Sequence, residues 1–224
     1  LHPPFSSRSF SLFEEIMESI QIFPGAFHYP GFLNIEQQEQ LLDYYLSYQS
    51  DFYTPQLKNG SLMNLQTLCF GRHWNASDNR YYSFGVNTPN SKINPLPDLL
   101  QLLATQASEF HFPQFTNFDL GIVNYYTKYG RLGMHRDNAE TEETLLSGHP
   151  VVSFSIGAAA EFRMGGKNYN DPVKNVILNS GDAFVFGGAA RLRYHGIGKI
   201  LKSKSPPFDN FLHGGRLNFT IRKL

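Results

Sequence analysis

Cysteine is nearly absent: Cys69 stands alone in 224 residues. That excludes an intramolecular disulfide framework and fits a reducing, intracellular compartment, with nucleus, cytoplasm and organelle left open. No apolar run approaches membrane-spanning length, so no membrane partner is expected. The chain also lacks internal repeats and any linker-like stretch, so one domain over residues 1–224, acting as a monomer, is the expectation. It starts at Leu1 rather than Met, which leaves room for a native N-terminus and any targeting peptide upstream. Net charge is absent as well, but the balance hides a gradient. From Arg191 onward eight basic residues face Asp209 alone, a net of +7 against −7 over residues 1–190. A basic cluster suits an anionic partner such as nucleic acid; a solvated loop with a few structural arginines explains it equally well.

What is abundant is aromatic: 20 Phe and 12 Tyr bring the aromatic share to 15%. That favours β structure and leaves rings for a binding surface. Leu1 to Arg8 reads as an irregular arm. Ser11 and Glu14 form a capping-box pattern ahead of a stripe at Leu12, Phe13, Ile16 and Ile20, which predicts a helix ended by Pro24-Gly25. A second helix is predicted after Asn34, with Gln37 three residues on and Ile35, Leu41, Leu42, Tyr45 and Leu46 as its buried face. A third runs from Pro97 to Phe110. Between them, residues 51–96 are polar and aromatic, with strands at Leu65–Phe70 and Tyr81–Val86 around a loop at Arg72–Arg80. After Pro113, eight short β-rich runs recur between turn signals: Gly121–Tyr126, Leu132–Asp137, Val151–Ile156, Ala160–Met164, Val173–Leu178, Ala183–Phe186, Leu192–Ile197 and Leu217–Ile221. Such a series predicts a mainly β sandwich or jelly roll with supporting helices, not βαβ units.

The stretch Gly133–Glu140 carries His135 and Asp137 two residues apart. In an extended strand these project from one face, so an imidazole nitrogen and a carboxylate oxygen converge. A second histidine would complete the two-histidine, one-carboxylate facial set of non-haem iron(II) oxygenases. His195, in the alternating segment R-L-R-Y-H-G-I, is the candidate, although a lone histidine near a strand end is more often structural. His28, His73, His111, His149 and His213 compete, none in so strand-like a setting. The last strand, R-L-N-F-T-I-R, puts Arg216, Asn218 and Arg222 on one face and Leu217, Phe219 and Ile221 on the other. Turned inward, two guanidinium groups need an anion, and a dicarboxylate fits their paired donors. Taken alone, an exposed and solvated face is the simpler reading. Asn124 and Tyr126 repeat the same-face spacing just before the metal-ligand pair.

Together these motifs resemble the AlkB family of iron(II)/2-oxoglutarate-dependent dioxygenases, and locally its eukaryotic branch. The resemblance runs in order through Asn124–Glu140, Val151–Gly157, Phe162–Pro172, Ser180–Ile197 and the last strand, roughly the final hundred residues. It implies a double-stranded β-helix. It implies iron held by His135, Asp137 and His195, which are thereby the catalytic residues. It implies 2-oxoglutarate held by Arg216 and Arg222, with Asn124, Tyr126 and Asn218 completing that site. The implied reaction uses O2 to demethylate N-methylated bases in DNA or RNA oxidatively, releasing succinate, CO2 and formaldehyde. The chain then reads as one catalytic domain: residues 1–50 an arm with helices, 51–96 a nucleotide-recognition lid, 97–224 a helix plus the β core.

On the substrate side the resemblance implies that Trp74 and Tyr81 stack on a flipped base, although both rings also suit core or surface positions. Glu140 and Tyr169 stand near the family's base-contacting positions. Ala139 replaces an acidic residue there, and Tyr169 a basic one, so base preference does not carry over. Arg163, Lys167, Arg191, Lys199, Lys202 and Lys204 are candidates for phosphate contacts. Two alternatives remain: the same oxygenase chemistry on a protein or small molecule, and a catalytically silent nucleic-acid-binding module.

Overall fold

Pro24 and Gly25 do not end a helix; they turn a hairpin. The structure, a computed structural model, describes residues 18–224. Within it β1 (Ile20–Phe23) pairs with β2 (Ala26–Tyr29), Ile20 opposite His28. Ile20, expected on a helical stripe, is therefore in a strand; Leu12, Phe13 and Ile16 lie outside the described residues. Gly25 has φ +80°, and a Cβ there would stand 2.5 Å from the Gly187 carbonyl oxygen. Only glycine lets the hairpin tip approach so closely.

Helix α1 (Ile35–Ser47) starts where the sequence signals it. Asn34 Oδ1 accepts from Gln37 N, and Gln37 Oε1 accepts from Asn34 N. A cap of this kind stabilises a helix by about 1 kcal/mol. Beyond it come β3 (Gln66–Phe70), the small strands β4 (His73–Asn75) and β5 (Arg80–Tyr82), and α2 (Asp98–Glu109). The segment Arg72–Arg80, read as a loop, thus contains one arm of a β hairpin and its turn. The segment 51–96, read as a lid, contributes β3 to the main sheet and buries Phe52 and Leu65 in the apolar core, so much of it is part of the core. The remaining elements are β6 (Leu120–Tyr126), β7 (Leu132–His135), α3 (Glu142–Ser147), β8 (Val151–Gly157), β9 (Ala160–Met164), β10 (Lys174–Leu178), β11 (Ala183–Phe186), β12 (His195–Ile200), α4 (Asp209–Leu212) and β13 (Arg216–Arg222).

A seven-stranded sheet runs β1-β2-β11-β8-β13-β6-β3, and a four-stranded one β10-β9-β12-β7. Every pairing within both is antiparallel. This is the double-stranded β-helix, with α1 and α2 covering one face of the larger sheet. Alternation along the central strand β13 decides what each face holds. Leu217, Phe219 and Ile221 pack with Leu41, Leu42, Leu100 and Leu103 of the helices. Arg216, Asn218, Thr220 and Arg222 turn the other way, into the space between the sheets. All seven residues of β13 are buried, so the polar face is not the solvated surface that the strand suggests in isolation. Among the described residues no helix is long and apolar enough to cross a membrane.

Candidate metal and dicarboxylate site

At the open end of the β-helix, β7 and β12 bring three donor groups together. Register places His195 opposite His135. The ligating atoms of His135, Asp137 and His195 all lie within 4.8 Å of one another. His135 Nε2 is 3.6 Å from Asp137 Oδ1, and His195 Nε2 is 3.5 Å from Asp137 Oδ2. Each ring is held from behind: His135 Nδ1 donates to the Gly133 carbonyl at 2.9 Å and His195 Nδ1 to the Arg193 carbonyl at 3.1 Å. A carbonyl only accepts, so each Nδ1 carries a proton, and each Nε2 is the nitrogen turned toward Asp137. Burial, then the neighbouring His135, pushes the His195 pKa down and favours the neutral, ligating imidazole. Burial alone would raise the Asp137 pKa; Arg222 first, then His195, outweighs it and holds the carboxyl well below the ordinary range. Two imidazoles and a carboxylate on one side of a centre suit iron(II) and leave coordination positions open.

Two of the expected strand limits shift here. β7 ends at His135, so Asp137 lies beyond the ladder. β12 begins at His195 rather than Leu192, because a short 3-10 turn, Gly188–Ala190, and the buried Arg191 occupy the approach. The competing histidines lie elsewhere. His28 pairs with Asp182 at 2.8 Å, His73 with Tyr53 at 3.2 Å, and His149 packs on Phe115 and Phe118. His111 stacks on Phe27 at 3.5 Å, and His213 is exposed.

Deeper between the sheets, Arg216 is 0% exposed and its Nε, Nη1 and Nη2 have no hydrogen-bond partner. Burial pushes its pKa down to about 10, so it stays charged at neutral pH. A buried cation without a partner is costly, and an anion filling the adjoining space removes the penalty. That space is lined by His135, Asp137, His195, Arg216, Asn218 and Arg222, with Asn124 and Tyr126 beside them, so it runs from the three donors to Arg216. Register explains the grouping: Arg216 lies opposite Tyr126, and Asn218 opposite Asn124. Asn124 Oδ1 accepts from Thr67 Oγ1 at 2.8 Å, and Asn218 Nδ2 donates to Ser153 Oγ at 2.6 Å. The two arginines differ. Arg222 already faces Asp137 Oδ2 at 2.9 Å and Glu140 Oε1 at 3.1 Å, which leaves only its Nε without a partner.

An outer cavity of about 710 Å³ opens onto the same His135 and Asp137. Trp74 forms part of its wall, with Arg131, Arg136, Asn138 and Tyr194. Trp74 and Tyr81 lie directly opposite each other across the β4–β5 hairpin. Trp74 Nε1 donates to Asn79 Oδ1, and Asn79 Nδ2 to Asn138 Oδ1, both at 3.0 Å. Tyr81 turns inward: its hydroxyl donates to Glu140 Oε1 at 3.2 Å and accepts from Arg222 Nη1 at 3.3 Å. Glu140, expected near the substrate, has a fully buried carboxylate held by Arg191 and Arg222 and presents nothing to the cavity. Arg191, expected on phosphate, is 1% exposed and faces Glu140 Oε2 at 3.1 Å. With Arg191, Arg216 and Arg222 all buried, the basic tail is less of a surface patch than its count suggests. Lys167, Lys199, Lys202 and Lys204 are exposed, and Lys199 stands 3.9 Å from Glu161. Arg163 is half-buried. Tyr169 is 63% exposed and packs edge-on against Tyr194, whose ring also carries Arg136 at 4.9 Å. Tyr194, Asn79 and Asn138 had no sequence signal beyond their closeness to His195, Trp74 and Asp137.

A sequence-family model described as the 2OG-Fe(II) oxygenase superfamily matches residues 25–222. An alpha-ketoglutarate-dependent dioxygenase AlkB homolog of Caulobacter vibrioides is 32% identical over 210 residues, which cover 93% of this chain and 91% of that protein. The DNA N(6)-methyladenine demethylase ALKBH1D of Arabidopsis thaliana is 36% identical over 191 residues, 76% of this chain but only 42% of that protein. The chain thus spans about two fifths of the length of this plant relative. The solved structure of OsALKBH1 superposes with a TM-score of 0.81 at 30% identity, covering 92% of this chain and 100% of that one. The superfamily's cofactors are iron(II), 2-oxoglutarate and O2, and the donor set and the unpartnered Arg216 fit the first two. On fold, motif order and site chemistry together, the chain belongs to the AlkB family of 2OG-Fe(II) oxygenases.

Proposed function

We propose that this chain removes methyl groups from N-methylated bases in DNA or RNA, consuming 2-oxoglutarate and O2 and releasing succinate, CO2 and formaldehyde. The observation that carries the reading is the meeting of two spaces at His135 and Asp137. An inner one ends on the orphaned Arg216 guanidinium; an outer one, about 710 Å³, is large enough for a nucleobase. In this reading His135, Asp137 and His195 hold iron. Arg216 takes the far carboxylate of 2-oxoglutarate, while Arg222, Asn124, Tyr126 and Asn218 shape the rest of its bed. Bound there, iron with 2-oxoglutarate supplies the oxidising chemistry; the chain orients the reactants and keeps water out. Trp74 on the hairpin lid offers a face for a flipped base, and Tyr169 with Tyr194 and Arg136 offers one at the rim. Tyr81 anchors the lid rather than stacking.

The cavity lining favours neutral methylated bases. Among the described residues Asp137 is the only acidic one in its lining and is already paired with Arg222, while Arg131 and Arg136 stand on the wall. A cationic base such as 1-methyladenine or 3-methylcytosine finds no free carboxylate there, and N6-methyladenine, the substrate named for the Arabidopsis relative, needs none.

The test is formaldehyde and succinate release on a panel of methylated DNA and RNA oligonucleotides. Both products are expected with N6-methyladenine, and neither with His135→Ala. Trp74→Ala should weaken oligonucleotide binding roughly tenfold, a loss within the 1–3 kcal/mol of one stacked base. Succinate without formaldehyde on every oligonucleotide would move the substrate to a protein or small molecule. Binding without either product would make the chain a silent binding module.

A further inference from the structure

Three charged side chains, Arg191, Glu140 and Arg222, close a ring with Asp137. Arg191 Nε donates to the His149 carbonyl at 2.9 Å and its Nη1 to the Asp137 carbonyl at 2.5 Å. Its Nη2 faces Glu140 Oε2 at 3.1 Å. Glu140 Oε1 meets Arg222 Nη1 at 3.1 Å, and Arg222 Nη2 returns to Asp137 Oδ2 at 2.9 Å. Two positive and two negative groups thus balance where none reaches water freely; every member is at most 7% exposed. Asp137 lies two residues beyond the end of β7, so no strand ladder fixes its backbone. The bond from Arg191 takes the ladder's place. Asp137 is held twice, by a hydrogen bond from Arg191 to its carbonyl and by the Arg222 ion pair at its carboxylate, whose Oδ2 has no hydrogen-bond partner of its own.

We propose that Arg191 and Glu140 are positioning residues of the metal site: they fix where the Asp137 carboxylate points and so set the site's affinity for its metal. This rests on the reading of Asp137 as a ligand. Arg191 suits the task because its planar guanidinium hydrogen-bonds two backbone carbonyls and turns its third nitrogen to Glu140 Oε2 as an ion pair, without a hydrogen bond there, a combination a lysine ammonium cannot make. Glu140 suits it by occupying one side of Arg222, so that only the other side is left to meet Asp137. Neither touches the metal, and partners of this kind commonly alter metal affinity by about 10–100-fold.

The experiment titrates the purified chain with cobalt(II), following the visible absorption of the bound ion, beside thermal melts of the metal-free protein. Wild type should bind, and His135→Ala should not. Arg191→Met is expected to weaken cobalt binding by about 10–100-fold and to change the band shape; Arg191→Lys should recover only part of the loss. Glu140→Gln keeps the shape but not the charge and should fall between wild type and Arg191→Met. If Arg191→Met does not fold, Glu140→Gln and Arg191→Lys decide the question. Folded variants with wild-type affinity and spectrum, however much their melting temperatures drop, would overturn the proposal and leave the metal reading intact. No cobalt binding by wild type would overturn both.

Discussion

Arg216 is the residue on which the co-substrate reading turns, and it can be tested without turnover. Its three guanidinium nitrogens are buried and unpartnered. The ligand-free protein therefore carries a penalty that a methionine of similar length does not. Arg216→Met should leave the melting temperature of the ligand-free protein unchanged or raise it. Relief of about 1–2 kcal/mol corresponds to roughly 2–8 °C for a chain of this size. The same variant should lose the stabilisation that 2-oxoglutarate gives wild type, because the ligand's far carboxylate loses its counter-charge. A differential scanning measurement with and without 2-oxoglutarate reads both effects; a strong drop for the ligand-free variant would mean that Arg216 has a structural partner instead. The even spacing of Arg216, Asn218 and Arg222 was legible because a strand has period two. Their division of labour was not: Arg222 is claimed by Glu140, 82 residues away, and by Asp137. The burial of Glu140 and Arg191 against each other was illegible for the same reason, since an ion pair between distant segments leaves no local pattern.

Among the elements, those written in nearby residues matched best. The capping box at Asn34 and Gln37 set the start of α1, the alternating run Ala160–Met164 is β9 and the short apolar run Ala183–Phe186 is β11. Elements defined by their neighbours were harder to read. β1 has only four residues and makes sense only as one arm of the hairpin whose other arm, β2, joins β11. β12 was placed three residues early because the alternating pattern continues through a turn. Its glycine has a positional role that only the structure discloses. A Cβ on Gly196 would meet the Leu132 carbonyl oxygen at 2.6 Å and the Gly133 carbonyl oxygen at 2.8 Å. The missing side chain lets β12 lie close enough to β7 for His195 to face His135. Gly196→Ala should therefore push the two strands apart. The expected result is near-native far-ultraviolet circular dichroism with metal affinity reduced by an order of magnitude or more. Unchanged metal affinity would show that the strands approach by another route.

For the molecule as a whole, the buried histidines dictate how stability follows pH. Burial pushes the pKa values of His73, His149 and His195 below their ordinary value. In the unfolded chain the same groups titrate near roughly 6.5. Below that pH the unfolded chain takes up protons that the native chain resists, so stability falls as pH falls. The slope approaches about 1.4 kcal/mol per pH unit for each histidine that stays neutral in the fold. The depressed carboxyls act lower on the scale. Asp137 and Asp182 contribute stability that is present above their unfolded pKa, roughly 3.9, and is lost as pH drops through their native values. Between pH 7 and pH 5 the histidines therefore dominate. The metal-free protein should therefore melt at a lower temperature at pH 5 than at pH 7. His149 offers a clean dissection, because it is not in the metal cluster and its ring packs against Phe115 and Phe118. A phenylalanine suits that setting and takes up no proton, so His149→Phe should flatten the dependence of melting temperature on pH, with His73, His111 and His195 carrying what remains. A melting temperature that stays level from pH 7 to pH 5 would mean that the native chain accepts these protons, and that the three rings are less enclosed in solution than their packing indicates.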